Sequence, residues 1–507
     1  MKRVKNILTR FFLIVAIFGG SIFNSFAQPG SLDTLFGNGG KVITSFTNFG
    51  DAARVIAIQN DKKIILGGNT KPNSFAKTNS LLVRYNSDGT LDTSFGIGGK
   101  VVESAGSVSV LAIQTDGKII AGSSFTLMRF TSKGIIDTSF GIGGKVVTDI
   151  KGYYSEQSRA IVIQNDGKII LGGYGQESGP DKPHFMLIRY HKNGSLDSTF
   201  GVGGIVIGDV GNCNSIALQS DGKIIAGGAF DFSFALARYN TNGSLDNTFG
   251  TAGRVITSVG STSGGQSVAI QKSGKIVLIG WTNEGAGIST STALVRYNTD
   301  GSLDNAFGTG GKVITQWGTS SKGNSISIQN DEKIVVGGFA KKGSNHNNFA
   351  LARYNTDGSL DNTFGDAGEA VTPVGPLNSQ SDAIAIHKNG KIVLTGYAYN
   401  GTKTNIALVQ YNNDAGALSI EDCCKQNEIS AYPNPFSTSI TIALSKPLNN
   451  ATLKLYDAYG KLVKQQTNIS KQNIIVSRDY LPKGIYLLQL QENNRTITTK
   501  KLLISGE

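Results

Sequence analysis

Cysteine is almost absent from this sequence, with three in 507 residues: Cys213, Cys423 and Cys424. That is no disulfide framework. Bonded to each other, the adjacent pair would form a strained ring; one of them could pair with Cys213, or all three could stay free. Histidine is equally scarce. His184, His191, His346 and His387 fall far apart with no metal-ligand spacing, and no second cysteine pair completes a zinc set. Neither a metal nor a cofactor is therefore expected. The chain also lacks a nucleophile elbow, a zincin motif and a dinucleotide fingerprint. No apolar run is long enough to span a bilayer comfortably, so no transmembrane segment is expected in the mature chain. The net charge is +12, but no Lys/Arg cluster marks a nucleic-acid groove.

What is present starts at the N-terminus. Lys2, Arg3, Lys5 and Arg10 form a basic head, an apolar stretch follows, and Ser25 and Ala27 frame a cleavage site before Gln28. This pattern predicts an export signal over residues 1–27, so the mature chain leaves the cytoplasm. The 65 glycines and 10 prolines suit many short strands joined by tight turns.

Three phrases then recur in fixed order. The first is a strand ending in Gln or His, a turn and a second strand, as in "IQTDGKIIAG" from Ile113 and "IHKNGKIVLTG" from Ile386. The second resembles "ALARYN", and the third is "SLDxxFGxGGKV". The aspartate of the third phrase falls at positions 33, 92, 137, 197, 246, 304 and 361, which marks seven units. Each unit supplies four strands, A to D, with Asp-Gly or Asn-Gly turns that allow tight hairpins. Four antiparallel strands repeated radially describe a β-propeller blade, and seven units predict seven blades. A lone D-type strand at residues 39–44 precedes the first full unit, while the last unit stops after strand C. The early strand is expected to fill the vacant place and close the ring, which removes two open sheet edges.

These phrases resemble the delta-60 repeat of bacterial propeller proteins across all seven units, and their strand order is similar to that of NHL-repeat propellers. The resemblance implies a fold and brings no settled activity.

A residue present in every blade does a blade's job, since one active site has no use for seven copies. Each repeated aspartate is thus expected to cap backbone N–H groups in the C–D connection, or to meet the strand-C arginine of its own blade. Because antiparallel strands alternate in direction, A–B and C–D turns share one rim of the disc, and B–C and D–A connections share the other. The second set varies in length and composition, and recognition is expected there. Aromatic residues collect on that rim, Phe232 and Tyr399 among them. Tyr153, Tyr154, Tyr174, Trp281, Trp317, Phe339 and Tyr397 are the candidate ligand-binding residues, suited to stacking on sugar rings or alternatively to padding between blades. Glu156, Glu177, Asp181 and Glu284 are the loop acids that an enzyme would use; no catalytic residue is assigned.

After residue 416 the phrases stop. A polar linker (417–428) leads to "AYPNPFSTSITIAL", and period-two alternation in the following segments predicts a small β-sandwich over 429–507. The carrying residues are Tyr432, Pro433, Asn434 and Pro435, then Gly460 and Lys461, then Gly484 and Tyr486. They resemble the type A sorting domain of the type IX secretion system. That resemblance implies export across the outer membrane, with the type IX machinery as partner, followed by release or attachment to surface lipopolysaccharide. The expected whole is all-β: a seven-bladed propeller over 28–416 followed by the small sandwich. It would sit outside the cell or on its outer surface after periplasmic transit, and act as a binding module for a glycan or another surface ligand. A polysaccharide-active enzyme and a structural surface protein without a defined ligand are the alternatives.

Overall fold

The computed structural model describes residues 28–177, 183–285, 289–413, 429–444, 448–457, 460–492 and 495–505. The expected signal peptide and linker, with Cys423 and Cys424, lie outside the described residues.

Residues 41–411 form seven four-stranded antiparallel sheets, each running A-B-C-D in space. In blade 1, for example, strand A is Asp51–Ile58, B is Ile64–Thr70, C is Asn79–Tyr85 and D is Lys100–Glu103. Each strand A touches the A strands of both neighbouring blades, from blade 1 round to blade 7 and back. The A strands therefore line the centre and the arrangement is a closed ring. Blade 7 is completed by the chain's own beginning: Lys41–Thr44 pairs with Thr404–Tyr411 in the register Lys41↔Val409 to Thr44↔Ile406. Upstream, the Gly30 N–H donates to the Asn412 carbonyl (2.7 Å) and the Gly365 N–H to that of Pro29 (2.7 Å), so the closure also reaches blade 6.

Strands B and C are buried on both faces because each sheet packs between two others, which explains their near-continuous apolar runs. Each interblade core draws on two adjacent units: Ile225, Phe234 and Leu236 of blade 4, for instance, pack against Ile276, Leu278 and Val295 of blade 5. Cys213 belongs to such a core, unbonded, with its thiol pushed up to about 12 by burial.

In the C-terminal region, strands Ile429–Tyr432, Ser439–Leu444 and Asn473–Ser477 make one sheet, and Ala451–Tyr456, Leu462–Ile469, Gly484–Glu492 and Arg495–Ile504 make another. Ile440, Ile442 and Val476 of the first share one apolar core with Leu453, Leu488 and Leu502 of the second.

Candidate functional site

The two rims separate on electrostatics. On the A–B/C–D rim, every repeated aspartate is engaged. In six blades the strand-C arginine donates from Nε to the aspartate at 2.6–2.8 Å, as in Arg84–Asp92 and Arg353–Asp361. The guanidinium lies 4.4–4.7 Å from the centre of the Phe ring three residues beyond that aspartate. A lysine from the A–B turn meets the same oxygen, as Lys63 does at 2.8 Å from Asp92. The other carboxylate oxygen accepts the backbone N–H two residues on, for example Ser94 at 3.1 Å. Both expected roles therefore hold at once. In the closing blade Gln410 replaces the arginine and donates to Asp33 at 2.7 Å, beside Lys391. Burial alone would push the Asp92 carboxyl up, but hydrogen bonds from Lys63 and Ser94 and the Arg84 charge hold it well below the usual range. The arginines also reach across blades, Arg84 to the Ser132 carbonyl (2.5 Å) and Arg129 to that of Lys192 (2.6 Å). This rim is consumed by its own scaffold.

On the channel side, strand A carries a β-bulge in blades 1 and 3 to 7. The unpaired residues are Arg54, Arg159, Asn214, Gln266, Asn324 and Asp382, five positions before the Gln or His that ends the strand. Ser109 holds the equivalent position in blade 2. The bulge explains the recurrent Gly of strand B: a Cβ on Gly228 would sit 1.8 Å from the Asn212 carbonyl oxygen, and one on Gly396 1.9 Å from that of Gln380. Several side chains at this position tie one blade to the next. Ser109 donates to the Ser158 carbonyl (2.8 Å), Asn214 to that of Gly265 (2.8 Å) and Asn324 to that of Ser381 (2.9 Å). Sequence reasoning missed this ring. The signal was available as a position that is always polar yet changes chemistry from blade to blade.

The seven candidate aromatics divide. Trp317 is 1 % exposed, packed among Ile334, Val336 and Tyr354 with its indole N–H toward the Tyr354 hydroxyl (3.3 Å). Its expected place on an accessible face is thus corrected, because the D–A connection of blade 6 folds the ring inward to fill the seam beside Ala340 and Ala350. Tyr153 is partly buried; it donates to Glu177 (2.5 Å) and meets His184 edge-on, and burial with that carboxylate raises its hydroxyl to about 12. Tyr154 is 44 % exposed. Tyr174, Trp281, Phe339 and Tyr397 occupy one repeated strand-B position, opposite Gln157, Gly264, Lys322 and Gln380. Arg159 lies over Tyr174 and Arg54 over Tyr397, each 5.6 Å from the ring centre, so those faces carry a guanidinium already.

Trp281 differs. Gly264 faces it across the strand pair, where a Cβ would come within 3.2 Å of the indole nitrogen. In the neighbouring blade the equivalent strand-B residue is Ala229. These two small residues, set where blades 3, 6 and 7 carry pairs such as Tyr174–Gln157 and Phe339–Lys322, open a cavity of about 350 Å³ between blades 4 and 5. Asn212, Asn214, Gln266 and Ser263 line it with Trp281. Phe232 overhangs it from the two-residue hairpin Asp231-Phe232, where both residues have positive φ (46° and 56°). Blade 2 has the same turn at Ser124-Phe125, but Phe125 is fully buried whereas Phe232 is 69 % exposed. Non-glycine residues in that region are costly, so an exposed phenylalanine held there by no core invites a functional explanation.

The loop acids are spread. Glu156 accepts the Ile150 N–H (3.2 Å), Glu177 is held by Tyr153, Glu284 is exposed, and Asp181 lies outside the described residues. Among the described residues, no group of three His, Cys, Asp or Glu is placed to hold a metal ion, and no helix is long and apolar enough to cross a membrane.

The C-terminal motif residues do structural work. The Asn434 side chain imitates a peptide unit, donating to the Lys501 carbonyl (3.0 Å) and accepting the Leu503 N–H (2.8 Å). Tyr432 is half exposed beside it, and Pro433 and Pro435 flank it. Gly460 (φ 79°) turns the chain so that its N–H and that of Lys461 bond back to Asp457. Gly484 opens the strand on which Tyr486 is buried, its hydroxyl donating to the Pro482 carbonyl (2.8 Å).

Fold and rims define a seven-bladed β-propeller joined to a sorting domain. Seven segments (59–95, 114–140, 164–200, 219–249, 271–307, 329–364 and 387–414) match the family described as "Domain of unknown function (DUF5122) beta-propeller". Residues 430–505 match the "Secretion system C-terminal sorting domain". The chain thus carries a type IX sorting domain, and its destination is the cell surface or the extracellular space. It is similar to an endo-acting ulvan lyase of Formosa agariphila, 30 % identical over 89 residues, 17 % of each chain. The chain therefore spans under a fifth of that curated relative. Among solved structures it resembles a protein of unknown function from Bacteroides caccae (13 % identity, TM-score 0.38, 61 % of this chain and 93 % of that one). It also resembles the α-L-arabinofuranosidase of Fusarium graminearum (8 % identity, TM-score 0.37, 73 % and 96 %). Likeness at that level carries no functional argument.

Proposed function

We propose that this protein is a binding module, secreted or displayed on the cell surface, that takes carbohydrate in the cavity between blades 4 and 5. Its propeller occupies 28–416, and the linker 417–428 leads to the sorting domain (429–507), which the type IX machinery recognises. On the finer family question we read the blades as delta-60 repeats with NHL-like strand order. The observation that carries the reading is Trp281 lying across Gly264, ringed by the amides of Asn212, Asn214 and Gln266. A flat indole gives a sugar ring an apolar platform, and side-chain amides pair with hydroxyls as donors and acceptors together. The test is a glycan array probed with the full secreted chain. Saturable binding that Trp281→Ala removes supports the reading; binding that survives the substitution, or no binding, refutes it.

A further inference from the structure

The bulge ring is not electrically uniform. In blades 4, 5 and 6 its residues are the neutral Asn214, Gln266 and Asn324. Charge sits to either side. Arg159 occupies the bulge of blade 3, and Lys322 lies two residues before the bulge of blade 6. Asp382 and Arg54, on blades 7 and 1, satisfy each other in an ion pair of 2.7 Å. Arg159 donates to the Tyr174 hydroxyl (3.0 Å), which leaves its charge unneutralised, and among the described residues the Lys322 ammonium has no hydrogen-bonding or ion-pair partner. Burial lowers the Lys322 pKa, and the ammonium feels both Asp382 and Arg159, so groups from blades 3, 6 and 7 share one field across the channel. The Trp281 cavity meets this ring at Asn214 and Gln266; Arg159 and Lys322 stand outside its lining, on strand A of the two adjoining blades, 3 and 6. Asp231 is the charged residue of the cavity lining, so a negative substituent is favoured away from it, toward Asn214 and Gln266.

We infer that the ligand is an acidic polysaccharide, one ring lying on Trp281 while a sulfate or carboxylate substituent reaches the Arg159 and Lys322 cations of the channel. This rests on the carbohydrate reading of the cavity and adds the ligand's charge.

The test uses polymers matched in backbone and differing in charge: sulfated carrageenan against chemically desulfated carrageenan, and polygalacturonate against its methyl ester. Affinities of the full secreted chain are measured at low and high salt, with folding of each variant checked by thermal melting. The acidic member of a pair is expected to bind about tenfold more tightly. Arg159→Gln and Lys322→Gln should each remove most of that advantage and flatten its salt dependence. Which pair responds distinguishes sulfate from carboxylate. Equal affinity within both pairs, unchanged in the charge variants but lost in Trp281→Ala, overturns the acidic ligand and leaves the carbohydrate reading standing. Acidic binding that survives Trp281→Ala overturns the shared site, and absence of binding to all four polymers overturns the inference outright.

Discussion

The two rims of the propeller are made by the same strands and put to opposite uses. On one, seven copies of an aspartate meet arginine or glutamine, lysine and the backbone, and little chemistry is left over for a ligand. On the other, the repeated positions survive but their occupants change: Tyr174, Ala229, Trp281, Phe339 and Tyr397 are one place in the blade filled four ways. Repetition marks what the ring needs to close, and departure from it marks where the ring meets something else.

The sharpest way to break that contrast is to strike the constant rim. Asp197 has a fully buried carboxylate between Arg189 (2.7 Å) and Lys168 (3.0 Å). Asp197→Ala strands the Arg189 charge and should cost about 3–5 kcal/mol, read as a shift in denaturant midpoint. If that loss is absent, the rim is not a scaffold.

The one blade that departs from the pattern on this rim gives a second test. His387 stands where the other blades have Gln59, Gln114, Gln164, Gln219, Gln271 and Gln329. Burial, aided by the Lys62 and Lys391 charges, lowers it to about 4. The unfolded chain therefore takes up the proton first as pH falls, so stability is full above pH ~6.5 and drains away toward pH 4, by about 3 kcal/mol. His387→Gln should flatten the stability profile across that window. The rim aspartates, with lowered pKa values, lose their contribution only on further acidification, below about pH 4.

Smaller effects probe the channel side. Gly228→Ala pushes a methyl group against the Asn212 carbonyl and is expected to cost about 2 kcal/mol in melting or denaturant experiments. The least effect carries the opposite sign. Phe232→Gly relieves a left-handed residue and should raise stability by about 1 kcal/mol while weakening ligand binding. A loss of stability instead would make Phe232 part of the scaffold and erase its difference from Phe125.

Much of this was legible in advance. The recurring phrases announced the blades, the lone strand before blade 1 announced the closure, and turn polarity separated the rims. Trp317 was misread because a D–A connection looks alike in sequence whether its tryptophan points out or into the seam. The bulge ring escaped notice because an extra residue in a strand does not disturb the phrase around it, and only pairing with strand B exposes it.

By itself, then, the order of residues determined the number of blades, their closure and the destination of the chain, since each follows from local periodicity or a contiguous motif. Tertiary structure alone decided which aromatic faces stay bare, because that depends on neighbours some fifty residues away. Ala229 and Gly264 are unremarked small residues in the sequence, and they become a cavity only when two blades stand side by side.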